Sequence, residues 1–217
     1  MLFRPQKAPI DRLVDGYRKF RRTTFPSLQR DFRRLAKEGQ SPKILLIGCA
    51  DSRVSPNLIF ATPPGTMFVA RNVGNIVPPH DPNTQARSIG AAIEYAVKVL
   101  AVTDIVIKGH ARCGGVAAML NRGVNLPETD YLKPWVEIAE PARMLLPADY
   151  ESLSEEKKRL ASELAVIQNS IMNLSGFPWV RERLEAGMLK IHGLHFDMHD
   201  GSLMRLDHES GEWAQVR

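Results

Sequence analysis

The segment DIVIKGHARCGGV, residues 104–116, decides the fold because it combines a strand, a loop and a helix start in that order. The short apolar run at residues 105–107 is rich in β-branched side chains, which indicates a buried strand. Polar side chains follow directly, and the pair Gly114-Gly115 then opens an apolar helical stretch. This order predicts a parallel α/β sheet with functional side chains at the carboxyl ends of its strands.

A second segment, KILLIGCADSR at residues 43–53, has the same organisation. Cys49 ends its apolar run, and His110 follows the first run after Lys108 and Gly109. Because the carboxyl ends of neighbouring parallel strands meet at one edge of a sheet, we expect the two segments to lie side by side. The side chains that follow each strand are therefore predicted to form a single site.

The residue types at this edge indicate zinc. Cys49 and Cys113 are the only two cysteines among the 217 residues, and His110 lies between them in sequence. Isolated cysteines are usually small core hydrophobes, but two thiolates and an imidazole are three ligands suited to tetrahedral Zn²⁺. A fourth position is left for water or for a displaceable carboxylate such as Asp51. An open position is typical of catalytic zinc sites, so we predict one catalytic Zn²⁺ per chain.

Asp51 and Arg53 form a second element of this site. If residues 49–53 are extended, the two-residue period points Cys49, Asp51 and Arg53 to one side of the chain. Asp51 then has two partners within reach, the zinc itself or the Arg53 guanidinium in a charge-assisted pair. The alternative is an ordinary Asp/Arg turn pair without a functional role.

The rest of the chain continues the alternation of strands and helices. We predict one domain over residues 1–217, with an N-terminal helical extension at about 10–38, an α/β core at about 43–206 and a C-terminal edge hairpin. Its central sheet is expected to be mostly parallel and flanked by helices. The predicted segments are helices at 11–22, 27–38, 84–101, 135–144, 155–174 and 178–186, a helix start at Ser55-Pro56, and strands at 43–48, 66–70, 104–109, 188–196 and 202–206.

Composition narrows the class of protein. A chain that is 44% hydrophobic and 24% charged can bury a sizeable core, and no stretch approaches the length of about 18 apolar residues that a bilayer requires. The first ten residues lack the pattern of a secretory signal, and no disulfide framework remains once both thiols bind metal. We therefore expect a cytoplasmic protein without a membrane partner.

The net charge of +5 raises the question of nucleic acid. The early basic residues, at 18–34, alternate with apolar residues at helical spacing, as on the solvated faces of amphipathic helices. No recognition motif or aromatic platform accompanies them, so nucleic-acid binding is not expected.

Four motifs, in this order, carry a resemblance to a known family: Cys-x-Asp-Ser-Arg at 49–53, RNVGN at 71–75, GAAIEY at 90–95 and GHxxCGG at 109–115. With these motifs the chain resembles the β-class carbonic anhydrases from about residue 10 to residue 206. The resemblance implies zinc-dependent, reversible hydration of carbon dioxide to bicarbonate and a proton, through attack by a hydroxide held on the metal. It also implies that Asp51 alternates between Arg53 and the fourth zinc position.

Further site residues are implied by the plant-like branch of that family. Gln40 would donate its amide to bicarbonate, Phe68 and Tyr95 would wall the pocket, and Gly114 would contact the substrate. In the family this pocket lies at a subunit interface. The resemblance therefore implies a homodimer as the minimal unit and leaves open a tetramer or a larger assembly.

The sequence also departs from part of the family. Some bacterial members hold inhibitory bicarbonate with a Trp, an Arg and a Tyr, whereas this chain has Leu46, Arg71 and Phe196 at those positions. With two donors missing, we do not expect that regulatory site. Two alternatives to a carbonic anhydrase stay open: a carbonyl sulfide or carbon disulfide hydrolase, and a non-catalytic bicarbonate-binding zinc protein.

Overall fold

The computed structural model describes residues 7–83, 87–121 and 128–217. The chain forms two compact units, one up to Gln40 and one from Ser41 onwards. The first unit consists of α1 (Pro9–Thr23) and α2 (Phe25–Glu38), so both helices predicted for the N-terminal extension are confirmed. Each helix has a proline in its first turn, where the missing N–H costs nothing.

Three phenylalanines hold the two helices of the first unit together. Phe20 meets Phe25 and Phe32 edge-on, with ring centroids 6.0 and 6.4 Å apart, and Phe25 stacks on Phe32 at 5.8 Å. By contrast, the apolar residues of the first turns of α1 remain exposed in the single chain, and these are Ile10, Leu13, Val14 and Tyr17. This amphipathic helix thus presents an apolar face that its own unit does not cover.

The second unit is built on a six-stranded sheet of order β2-β1-β3-β4-β5-β6. Its strands are β1 (Ile44–Cys49), β2 (Met67–Asn72), β3 (Asp104–His110), β4 (Lys190–Phe196), β5 (Leu203–Leu206) and β6 (Trp213–Gln215). The first four are parallel and the last two pair antiparallel, which confirms the predicted mostly parallel α/β sheet. The predicted C-terminal hairpin is present as β4–β5, but β6 adds one further strand and forms the edge.

Helices flank this sheet. They are α3 (Pro56–Ile59), α4 (Arg87–Glu94), α5 (Gly114–Leu120), α6 (Leu132–Glu137), α7 (Glu155–Ser175) and α8 (Pro178–Glu185). The long helix α7 begins at a Ser154 cap, whose hydroxyl accepts from the Lys157 N–H, and it buries Ala165, Val166 and Ile167. No helix in the described ranges combines the length and the apolarity needed to cross a bilayer.

Two predicted helices differ from the structure. The helix predicted at 84–101 is α4 followed by one π-helical turn at Tyr95–Val99, and its first three residues lie outside the described ranges. The helix predicted at 135–144 is divided into α6 and a 3₁₀ segment, Glu140–Leu145. Pro141 explains this division because it has no N–H for an α-helical hydrogen bond and its ring clashes with the preceding turn.

The core lies on both faces of the central strands. Leu45, Ile47, Ile105 and Ile107 are fully buried on the face covered by α4, α7 and α8. A second buried cluster contains both cysteines and covers the carboxyl ends of the strands. Strands buried on both faces are typical of parallel sheets, and here they fix the edge where the predicted site lies.

Candidate metal centre

The ends of β1 and β3 bring the three predicted ligands together. Cys49 is the last residue of β1, His110 is the last residue of β3, and Cys113 is the N-cap of α5. One ligand atom from each lies within 4.8 Å of the others, and the two sulfurs are 3.8 Å apart. All three side chains are buried. β1 and β3 are neighbouring parallel strands, so their carboxyl ends lie at the same edge of the sheet.

A close approach of backbones holds α5 against the site. A Cβ atom on Gly115 would lie 2.9 Å from the backbone nitrogen of Gly74, which no real side chain tolerates. Gly115 is therefore required where the start of α5 packs on the turn after β2. The N-cap Cys113, two residues before it, is positioned by this packing.

The imidazole of His110 is oriented for a metal. Its Nδ1 donates to the carbonyl of Ala111 at 2.9 Å, which fixes the tautomer and leaves a lone pair on Nε2. Nε2 is buried and has no hydrogen-bond partner among the described residues. A buried nitrogen lone pair that accepts no hydrogen bond is costly unless an ion binds it. This donor set fits Zn²⁺.

The two thiols are not equivalent. The hydrogen bond from Cys113, whose sulfur lies 3.8 Å away, lowers the pKa of Cys49. The same interaction and burial raise the pKa of Cys113. Metal ligation requires both sulfurs as thiolates, so binding of a divalent cation would release any proton that this hydrogen-bonded pair holds.

Asp51 is held by Arg53 through a bidentate pair. Arg53 Nε donates to Oδ1 at 2.9 Å, Nη2 donates to Oδ2 at 2.6 Å, and the Arg53 backbone N–H also donates to Oδ1 at 2.9 Å. These bonds hold the pKa of Asp51 well below its usual range. Asp51 Oδ2 lies 4.0 Å from His110 Nε2, so the carboxylate is beside the candidate metal position. The structure thus contains the arginine-paired form.

Arg112, which no sequence pattern explained, supports this pair through its backbone. Its φ of 56° turns the chain after β3, and its carbonyl accepts from Arg53 Nη2 at 3.3 Å. The guanidinium of Arg53 therefore bridges the two ligand-bearing segments.

A buried acid from α7 supports the other side of the centre. Glu163 accepts from the backbone N–H of Cys113 at 3.2 Å through Oε1, and its Oε2 lies 2.9 Å from His195 Nε2. Glu163 and His195 are both buried. No local sequence pattern signals this contact, because Glu163 lies in the amphipathic helix α7, 50 residues after Cys113.

Two cations hold the backbone of the segment at 49–54. Arg71 donates to the carbonyl of Cys49 at 2.8 Å and to that of Asp51 at 2.7 Å. Lys108 is fully buried and donates to the carbonyl of Val54 at 3.3 Å. Burial, followed by the nearby Arg71, lowers the pKa of Lys108 to about 8. The only sequence signal for Lys108 was a lysine within an apolar strand.

Three of the predicted pocket residues, Phe68, Tyr95 and Gly114, belong to the second unit, and Gln40 belongs to the first. Phe68 in β2 and Tyr95 at the π turn contact each other, with ring centroids 5.7 Å apart. Phe68 also lines an open groove of about 900 Å³ beside β2. Gly114 follows Cys113, and nothing lies within 4 Å of a Cβ built on it, so it borders open space. Gln40 is an exposed residue at the end of the first unit.

Most of the chain is similar to proteins of known family. A family model described as carbonic anhydrase matches residues 44–203. The structure of the β-carbonic anhydrase CcaA is similar at a TM-score of 0.89 and 32% identity, covering 96% of this chain and 92% of that one. The chain belongs to the β-carbonic anhydrase family.

Other members of the β-carbonic anhydrase family agree over nearly the whole chain. A carbonic anhydrase of Pseudomonas aeruginosa is 38% identical over 94% of this chain and 90% of its own length. A tetrameric β-carbonic anhydrase of Sordaria macrospora has a TM-score of 0.72 at 30% identity, covering 94% of this chain and 95% of that one. These matches extend across both units, so the helical extension is part of what the relatives share.

Proposed function

We propose that this chain catalyses the reversible hydration of carbon dioxide to bicarbonate and a proton, with one Zn²⁺ held by Cys49, His110 and Cys113. The observation that carries the proposal is the buried cluster of one ligand atom each from Cys49, His110 and Cys113, all within 4.8 Å of one another, in which the His110 Nε2 has no hydrogen-bond partner within the part of the chain that the structure describes. When bound, zinc supplies Lewis-acid chemistry that lowers the pKa of a water molecule towards neutrality. Membership of the carbonic anhydrase family supports the same reaction.

Asp51 and Arg53 would prepare that water for attack. Because the pKa of Asp51 is lowered, its carboxylate stays ionised at neutral pH and can accept a hydrogen bond that orients the water. Three hydrogen bonds to Arg53 keep the carboxylate from competing for the metal. If Arg53 released it, Asp51 would be an anionic ligand close to the fourth position.

Carbon dioxide is small and apolar, so its pocket needs apolar walls and few donors. We assign the walls to Phe68 and Tyr95, a substrate contact to Gly114, and an amide donor for bicarbonate to Gln40. Arg71 is not assigned to a bicarbonate site, because its guanidinium donates to the carbonyls of Cys49 and Asp51.

A panel of substrates tests the reaction. The zinc-loaded protein is expected to hydrate carbon dioxide at a rate far above the buffer background in stopped-flow measurements. Carbonyl sulfide and carbon disulfide, offered at equal concentration, are expected to react at least about a hundredfold more slowly, a discrimination of about 2.7 kcal/mol. Hydrolysis of a sulfur compound without carbon dioxide hydration would replace the proposed function by a hydrolase, and no turnover of any of them would leave a binding protein.

The proposed assembly is a homodimer that can pair further. The exposed apolar residues of α1 need a covering surface, and the outer edge of β2 is unpaired in the described chain. The tetrameric relative from Sordaria macrospora supports an oligomer. In a dimer, Gln40, Phe68 and Tyr95 can contribute to the site of the neighbouring subunit.

Sedimentation of a single charge variant tests this assembly. Leu13→Glu places a carboxylate on the exposed apolar face of α1, so the variant is expected to shift from dimer or larger to monomer at micromolar concentration and to lose activity. Met172→Glu, at a similarly exposed apolar residue of α7, is the control and is expected to sediment like the wild type. A wild-type protein that is monomeric and fully active would refute the assembly.

A further inference from the structure

Lys108 is a lysine with no exposed surface, in the strand that leads to the metal centre, and the proposed reaction gives it no role. Lysine is almost never fully buried without a partner, because removing an ammonium group from water costs several kcal/mol. Its neighbours Val106 and Ile107 in β3 are apolar, and a valine or an isoleucine at residue 108 would suit a buried strand equally well. The charge at residue 108 therefore needs an explanation beyond packing.

The register of the sheet shows where this charge lies. Gly48 of β1 pairs with Lys108 on one side and with Arg71 on the other, so both side chains rise from the same face of the sheet. A Cβ on Gly48 would lie 3.8 Å from Lys108 Cε. The Lys108 side chain thus runs past Gly48 of β1 and reaches the segment that follows Cys49, where its Nζ lies 3.3 Å from the Val54 carbonyl.

Both cations end on carbonyl oxygens of that segment. Lys108 Nζ donates to Val54, and Arg71 donates to Cys49 and Asp51. The turn between them is closed by the Val54 N–H, which donates to the Asp51 carbonyl at 3.2 Å. Two like charges are brought together here against their repulsion, with the Asp51 carboxylate as a compensating group.

We propose that Lys108 is a positioning residue. Its hydrogen bond to the Val54 carbonyl anchors the turn at residues 51–54, so that Arg53 and Asp51 stay in their paired arrangement. It acts on the reaction through this turn and does not touch the substrate. Its effect on turnover rests on the proposed function, whereas its effect on the turn does not.

Hydrogen exchange measures the anchoring directly, with or without zinc. Lys108→Met keeps the length and apolar bulk of the stem and removes the ammonium. We expect exchange of the amides at 50–54 to become at least about tenfold faster, the effect of losing a charged hydrogen bond, while β4 is unchanged. Lys157→Met, at an exposed lysine of α7, is the matched control and should leave the exchange at 50–54 as in the wild type. Unchanged exchange in Lys108→Met would overturn the proposal.

A double-mutant cycle on kcat separates positioning from general destabilisation. Lys108→Met should lower kcat at least about tenfold alone but less than about twofold when Arg53 is already alanine, because both changes then act on one turn. Effects that multiply would overturn the proposal. Zinc should remain at one per chain, and a variant that loses zinc would assign Lys108 to metal retention instead.

Two further variants keep the test decisive if Lys108→Met does not fold. Lys108→Arg retains a cationic donor and is expected to keep most of the protection at 50–54, whereas Lys108→Gln loses the charge and is expected to lose it. Equal exchange in these two variants would contradict the proposal. If the wild type shows no carbon dioxide hydration, the proposed function fails, and hydrogen exchange still decides the role of Lys108.

Discussion

Replacing Cys49 by serine is expected to remove zinc and carbon dioxide hydration together. Cys49 is buried at the end of β1, and its sulfur is one of the three ligand atoms that lie within 4.8 Å of one another. A serine hydroxyl stays protonated and leaves only one imidazole and one thiol. We expect the zinc affinity to fall at least about a hundredfold. Loss of a group that only hydrogen-bonds to a ligand already lowers metal affinity about 10–100-fold, and Cys49 is itself a ligand.

The measurement is the zinc content after dialysis, together with the hydration rate of the same sample. Ala50→Ser is the matched control, because it introduces the same hydroxyl one residue later at an exposed position. That variant should keep one zinc per chain and near wild-type rates. Full zinc occupancy in Cys49→Ser would show that Cys49 is not a ligand.

Removing either member of the pair Asp51/Arg53 is expected to reduce kcat about 100-fold or more while zinc is retained, by analogy with the loss of a preorganised polar group. Asp51→Ala removes the acceptor that orients the water. Arg53→Ala removes three hydrogen bonds and frees an ionised carboxylate beside the metal position. Because the two residues act as a unit, the double variant should be no slower than Asp51→Ala.

Rates across about pH 7–9, the range around the pKa that zinc confers on water, check this pair. Arg181→Ala, at an exposed arginine of α8, serves as a control for the loss of a positive charge. An Arg53→Ala enzyme with wild-type rates over that range would contradict the role of the pair. A double variant much slower than either single variant would show that the two residues act independently.

The sheet was predictable where the sequence signal is local and strong. Residues 44–47 and 105–107 are apolar at successive positions, as in a central parallel strand buried on both faces, and the ends of these strands marked the ligand edge. The strand β6 was missed because its three residues, Trp213–Gln215, are too few to show an alternating pattern. Pro141 was a readable signal for the break after α6 that the prediction did not use.

The candidate site likewise has one part that the sequence predicts and another that only the structure shows. Cys49, Asp51 and Arg53 lie within one short motif, and the few bonds of backbone between them already keep them close together. The contacts of Glu163 and Lys108 join elements distant in sequence, and only the packing of α7 and the register of β1 with β3 bring them to the centre. No local pattern encodes such contacts, so they required the structure.

The central claim is that three side chains at this sheet edge hold a catalytic zinc, and a titration of metal-free wild-type protein tests it most directly. Zn²⁺ is added in steps while carbon dioxide hydration is measured by stopped flow. We expect the rate to rise linearly and to stop rising at one zinc per chain, with protons released as the thiols become metal ligands. Full activity in the metal-free protein, or zinc binding at one per chain without any hydration, would contradict the account.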